Sequence, residues 1–124
     1  MRLLNVTLAM APGPGFPEGS PDHRYIIALA LDHDGRPDAS AWIADDAPWR
    51  AMRIRPGETD IRGDVQYDPD SGWSLRFFNL ADDRSDAPTT GLIVHETLRP
   101  GAYVTVNEPQ GEPRSFRVVG VEAS

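Results

Sequence analysis

The chain contains no cysteine and no lysine, and it has no apolar stretch near the ~20 residues that cross a bilayer as a helix. Each absence removes a class of function. Without cysteine there is no disulfide, no thiolate nucleophile and no Cys-ligated zinc or iron–sulfur centre. Without lysine, the basic residues are arginines standing singly among more numerous carboxylates. The resulting formal net charge of −7 opposes a phosphate backbone, so no nucleic-acid partner is expected. The first fifteen residues carry one basic side chain, and Asn5 and Thr7 break their apolar run. That alternation suits a strand better than a secretion leader. An acidic, soluble, cytoplasmic protein that stays off membranes is predicted.

What the chain has in quantity is punctuation. Its 12 prolines and 11 glycines fall in short clusters between β-branched and aromatic runs, which predicts an all-β chain of short strands without long helices. Three hairpins stand out. In the last, the loop Pro109-Gln110-Gly111 has Pro early and Gly at its end, as a type I turn followed by a left-handed residue requires. It sets Val106 against Arg114, Val104 against Phe116 and Ala102 against Val118, gathering apolar side chains on one face, at the small cost of facing Glu108 with Glu112. In the first, spanning Arg24 to Ala44, the loop His33-Asp34-Gly35 sets Tyr25 against Ile43, Ile27 against Ala41 and Leu29 against Ala39, with Ile26 facing Trp42 on the other side. In the middle hairpin, Asp64 to Asn79, the loop Asp70-Ser71-Gly72 sets Tyr67 against Leu75 and Val65 against Phe77. Phe78 then falls on the opposite face and needs cover from a second sheet or another subunit.

Around these hairpins, Leu4, Val6, Leu8 and Met10 alternate as one face of a first strand. Residues 11–22 hold too many prolines for a helix or a central strand and are expected as a loop. Their glycines do not make a phosphate loop, because no helix start and no Lys-Ser or Lys-Thr follows. Trp49 to Arg55 alternates as a half-exposed strand, with a helical turn over 48–52 as the alternative. Residues 80–91 are a long acidic connection, and Leu92 to Leu98 is a further strand.

The candidate chemistry is carried by three histidines beside carboxylates: Asp22-His23, Asp32-His33-Asp34 and His95-Glu96. Imidazole and carboxylate together can hold zinc or move protons. No two of these histidines stand at i, i+2 or i, i+4, so none share a strand or helix face by spacing alone. Asp32, Asp34, Gly35 and Asp38 resemble part of a calcium loop, but Ala30 and Ala41 stand where its first and last acidic ligands belong, and a turn is the expected role. Asp45-Asp46 and Asp82-Asp83 read as solvated loop surface. Arg62-Gly63-Asp64 lies at a strand start, where adhesion is not its expected role, and no Gly-x-Ser-x-Gly elbow exists. Among the tryptophans, Trp73 is expected in the core beside Leu75 and Phe77. Trp49, flanked by Pro48 and Arg50, is the one expected to be partly exposed and to stack on a ligand.

The pattern predicts one compact antiparallel all-β domain over residues 1–124, of about eight strands, closed as a small barrel or a two-sheet sandwich. No cofactor and no metal is expected. The expected function is a non-catalytic ligand-binding or protein-interaction module, with Trp49 as the candidate ligand contact. Self-association would use exposed strand edges or the Phe78 face. The alternative is a small enzyme with a barrel-mouth site built from His23, His33 or His95 with neighbouring carboxylates, metal-dependent or not, which requires two of those rings to meet in one pocket. The sequence assigns no catalytic residue and no particular small-molecule ligand.

Overall fold

Short strands that are apolar on one side only can bury all those sides together by curling into a cylinder, and this chain does so. The computed structural model describes residues 2–13, 17–78, 89–109 and 112–123. Within them run β1 (Leu4–Met10), β2 (Ser20–Leu29), β3 (Arg50–Ile54), β4 (Ile61–Asp68), β5 (Gly72–Phe77), β6 (Thr90–Val94), β7 (Tyr103–Asn107) and β8 (Arg114–Ala123), with one short helix, α1 (Ala39–Ala44). Each strand pairs antiparallel with its sequence neighbour, and β8 returns to β1, closing an eight-stranded barrel. Of the two expected architectures the barrel is the one formed. Closure pairs both sides of every described strand, so the expected self-association through exposed edges has no template there.

The inner face is apolar through the middle of the barrel, with Thr90 as its buried polar residue among those described. Val6, Leu8 and Met10 of β1 point inward as their alternation predicts, beside Ile27, Val106 and Phe116. Side chains fill the cylinder, and the void among Leu8, Ile27, Leu92 and Val104 measures only about 10 Å³. That is room for about one water, so the interior is a packed core rather than a ligand cavity. Outward positions carry Arg24 on β2, Arg62 and Asp64 on β4 and Arg117 on β8. No helix of the described residues is long and apolar enough to cross a membrane.

The closing hairpin has the expected register, with Val104 opposite Phe116 and Val106 opposite Arg114; Gln110 and Gly111 of its loop lie outside the described residues. The middle hairpin is shifted by two residues. Val65 faces Leu75, Tyr67 faces Trp73 and Gly72 is already in β5 opposite Asp68. The cause is local: Asp68 Oδ1 accepts the N–H groups of Asp70 at 2.7 Å and Ser71 at 3.2 Å, starting the turn before Pro69. A shift of two keeps every side chain on its expected face.

The first hairpin is corrected more deeply. Its turn forms where expected, with Asp32 N–H bonded to Arg36 O at 2.8 Å, Leu31 bridged to Pro37 and Gly35 at φ +76°. The following segment is a helix, not a strand, and β2 pairs instead with β3, Ile26 opposite Met52 and Ile27 opposite Ala51. Asp38 caps α1, its side chain accepting the Ala41 N–H at 3.1 Å, and the Ala-rich turn that follows has no β-branched residue before Ile43. Two smaller corrections concern ends. β2 starts at Ser20, inside the expected 11–22 loop, where a bulge opposite Ala9 and Met10 gives Pro21 a place. β6 stops at Val94, and Leu98 is buried outside any strand with its N–H on Gly35 O at 2.8 Å. The expected acidic connection over 80–91 lies outside the described residues as far as 88.

Candidate functional site

The histidines are divided between the two ends of the barrel. His23, near the start of β2, lies at the mouth that also holds the end of β3 and the end of β7. His33 and His95 lie at the other end, in the turn after β2 and just beyond β6. The His33 ring is solvated beside Asp34, 3.6 Å away, and His95 Nε2 meets Thr105 Oγ1 at 3.1 Å. Neither reaches His23, and at their own end the His33 side chain is 92% exposed and His95 is exposed, each held by its own neighbour rather than by the other. Among the described residues, no three His, Cys, Asp or Glu side chains come together as a metal site.

His23 does have a carboxylate partner, from an unexpected quarter. Glu108, just past β7, turns into the mouth with its side chain only 13% exposed. Its Oε1 accepts the Tyr25 hydroxyl at 2.9 Å and lies 3.3 Å from His23 Nε2, while its Oε2 takes Arg55 Nη2 at 2.5 Å. Arg55 therefore answers the charge of Glu108, which the expected pairing had set against Glu112. Arg55 Nε also lies 3.3 Å from His23 Nε2. A single ring nitrogen cannot donate to Glu108 and accept from Arg55 at once, so these are exclusive states set by the proton on Nε2. Beneath, Tyr25 and His23 pack on Phe116 with ring centres 5.3 Å away.

Burial alone would push the Glu108 carboxyl up. The hydrogen bonds from His23 and Tyr25 and the Arg55 charge outweigh it and hold the group at about 2. Burial pushes the Tyr25 phenol well above its ordinary value, helped by the Glu108 charge and hydrogen bond and opposed by Arg55. Both oxygens of this carboxylate accept hydrogen bonds from its own protein. Its evident work is to tie β2, β3 and β7 together across the mouth.

Trp49 corrects the expectation of partial exposure: it is fully buried. It shares the inward face of its segment with Ala51, while Arg50 between them points out. Its Nε1 donates to Asp45 Oδ2 at 2.9 Å and its ring stacks on Trp73, centres 6.0 Å apart at 11°. Asp45 is correspondingly not free loop surface, since its Oδ1 also accepts the Ala47 N–H at 3.0 Å. Trp42, on α1, donates to Val65 O at 3.0 Å and closes the same end. Asp32 Oδ1 is likewise occupied, accepting the N–H groups of Asp34 and Arg36. In Arg62-Gly63-Asp64, Gly63 faces inward where a Cβ would strike the Arg76 carbonyl and Phe77, so close strand approach accounts for the glycine.

The concave surface lies outside the barrel. Strand pairing sets Thr7, Ile26, Met52 and Arg62 in one row across β1 to β4, and Phe78, whose N–H bonds Arg62 O at 2.8 Å, extends it. Beside that row run Asn5, Ala28, Arg50 and Asp64. A groove of about 690 Å³ opens here, floored by Ile26 and Met52 and bounded by Leu3, Arg50, Arg62 and Phe78. Phe78 faces away from the core as expected and is 45% exposed. Arg50 pairs with Asp64 at 3.0 Å, whereas the Arg62 guanidinium has no carboxylate partner among the described residues.

Comparison with protein-family models, with the curated proteins and with the solved structures gives no match. The groove residues escape sequence reading for a simple reason: three separate strands supply its apolar floor and its arginines, and only the pairing makes them neighbours. Phe78 alone carried a signal, as an aromatic out of phase with its strand.

Proposed function

We propose that this protein is a non-catalytic binding module whose ligand surface is the outer groove across β1 to β4. The observation that carries this reading is a concavity of about 690 Å³ with an apolar floor on the outside of a cylinder whose interior is filled. The outer wall of a barrel is convex, so a concavity of ligand size there needs specific side chains to build it. The enzyme alternative draws on the His23 and Glu108 contact, but that carboxylate is already engaged by Tyr25 and Arg55. The net charge of −7 and the charged outward positions of the barrel support a water-facing protein with neither nucleic acid nor membrane as partner. The cytoplasm is its setting in this reading.

The test is a fragment screen on ¹⁵N-labelled protein. Binders should move the amides of Ile26, Met52 and Arg62 together, and Met52→Glu, which places a charge on the groove floor, should abolish those shifts while the rest of the spectrum is kept. Fragments that move only the mouth around His23 and Glu108, or a Met52→Glu protein that binds unchanged, would remove this reading.

A further inference from the structure

Resting on that reading of the groove, we infer that its ligand is a small amphipathic organic anion: an apolar, preferably aromatic body laid on Ile26 and Met52 against Phe78, with a carboxylate or sulfonate held by Arg62. The charge distribution carries the inference. The chain has 19 Asp and Glu against 12 Arg, yet among the described residues the charged ones lining the groove are Arg50 and Arg62, with no carboxylate between them. Among the described residues, a lining whose charges are both positive runs against the composition of the whole protein. The two arginines are not equivalent. Arg50 is held by Asp64, while Arg62 is exposed and unpaired among the described residues.

Arg62 also stands in the right place. It lies opposite Met52 on β3 and beside Phe78, within the apolar row. A ligand lying along that row would bring its apolar body over half-buried aliphatic carbon and its end under a guanidinium fork, which matches the two oxygens of a carboxylate or the three of a sulfonate. A cation would meet the uncompensated charge of Arg62, and a neutral apolar molecule would leave that charge unanswered. The volume of about 690 Å³ suits a compound of drug size, within the roughly 300–1,000 Å³ of small-molecule sites.

Two dyes with the same rings test this: 8-anilinonaphthalene-1-sulfonate and N-phenyl-1-naphthylamine, which lacks the sulfonate. Each is titrated into ¹⁵N-labelled full-length protein, following the amides of Ile26, Met52 and Arg62, with sedimentation at each concentration. The sulfonate should bind there about tenfold more tightly than the neutral dye, the ratio expected of one charge-assisted contact. Arg62→Gln should bring the two affinities together, and Arg117→Gln, on the outer face of β8, should leave them apart. Arg62 is exposed, so its variant keeps the fold, which the unperturbed amides verify. Equal affinities in the groove, or a preference that survives Arg62→Gln, would overturn the inference while leaving the groove a binding surface. If neither dye moves the groove amides, the proposed function fails and the inference with it. A concentration-dependent dimer that shields Phe78 would give the surface to a second copy of this chain and overturn both.

Discussion

Tyr25 and Glu108, 83 residues apart in the chain, meet at the barrel mouth, where the phenol donates to Oε1 at 2.9 Å. The tyrosine ring lies within the core and only its hydroxyl reaches the carboxylate, so Tyr25→Phe removes one hydrogen bond and leaves the ring packing on Phe116 intact. Loss of a bond to a charged acceptor is expected to cost about 1.5–3 kcal/mol. Urea unfolding should show a lower midpoint with an unchanged slope, and the Glu108 carboxyl, followed by ¹³C shift, should titrate above its present value of about 2. An unchanged titration would mean that Tyr25 does not hold the charge.

The same carboxylate makes stability depend on acid. Its value falls from 4.5 in the unfolded chain to about 2 in the folded one, so the folded state favours the ionised form. Its contribution is complete above pH 4.5 and is lost as the pH falls through 2. The amount is on the order of 3 kcal/mol. Glu108→Gln should be less stable at pH 7 and should lose less than the parent between pH 4.5 and 2. At the alkaline end the sign reverses. The raised Tyr25 phenol contributes stability below its ordinary value of 10.0 that is lost as pH rises beyond it, and Tyr25→Phe should flatten that limb. Urea midpoints at a series of pH values check both limbs.

Alternation is legible wherever a strand has one buried face, which is why the inward set Val6, Leu8 and Met10 and the pairing of Val104 with Phe116 follow from the sequence. It fails from Ala39 to Ala44 because alanine suits either face of a strand and also favours helix. There the deciding signal is Asp38, an N-cap in a position that alternation ignores. A shift of two at Asp68 is likewise invisible to alternation, since it exchanges no faces. Barrel and sandwich present the same alternating pattern, and only the pairing of β8 with β1 separates them. The mouth and the groove are harder still. His23 comes from β2 and Arg55 and Glu108 from the connections after β3 and β7, while Ile26, Met52 and Arg62 come from three strands, so their proximity is a property of the closed barrel and of no local stretch.

Gly35 and Gly57 allow steric clash to be separated from backbone strain. Both are left-handed, φ +76° and +74°, but a Cβ on Gly57 would meet open space whereas one on Gly35 would run into Thr97 Cγ2. Gly57→Ala should cost about 1 kcal/mol, the left-handed penalty alone. Gly35→Ala should cost about 1–3 kcal/mol more. Thr97→Ser removes the offending methyl and keeps the hydroxyl that donates to Asp34 O at 2.7 Å. In that background Gly35→Ala should fall to the Gly57→Ala value, as measured by urea unfolding of the four variants. A Gly35→Ala penalty that Thr97→Ser leaves untouched would place the strain in the turn itself.

Trp49 joins the loop after α1 to the core, through Asp45 at one end and Trp73 along its face. Trp49→Phe keeps an aromatic ring but deletes the donor, leaving Asp45 Oδ2 without its indole and opening space beside Trp73. The expected loss is about 2–3 kcal/mol, combining one charge-assisted hydrogen bond with reduced packing. A spectroscopic readout distinguishes this structural role from a ligand contact. Trp49 has no exposed surface, while Trp42 and Trp73 are partly accessible, so iodide should quench the parent only in part. Trp49→Phe should remove the unquenched share of the emission and leave the quenched share. Groove titrations of the folded variant should match the parent, because it is Pro48, Arg50 and Ala51 around Trp49, and not its ring, that border the groove. Loss of the quenchable share instead would show that Trp49 is the exposed indole and return it to the surface as a ligand contact.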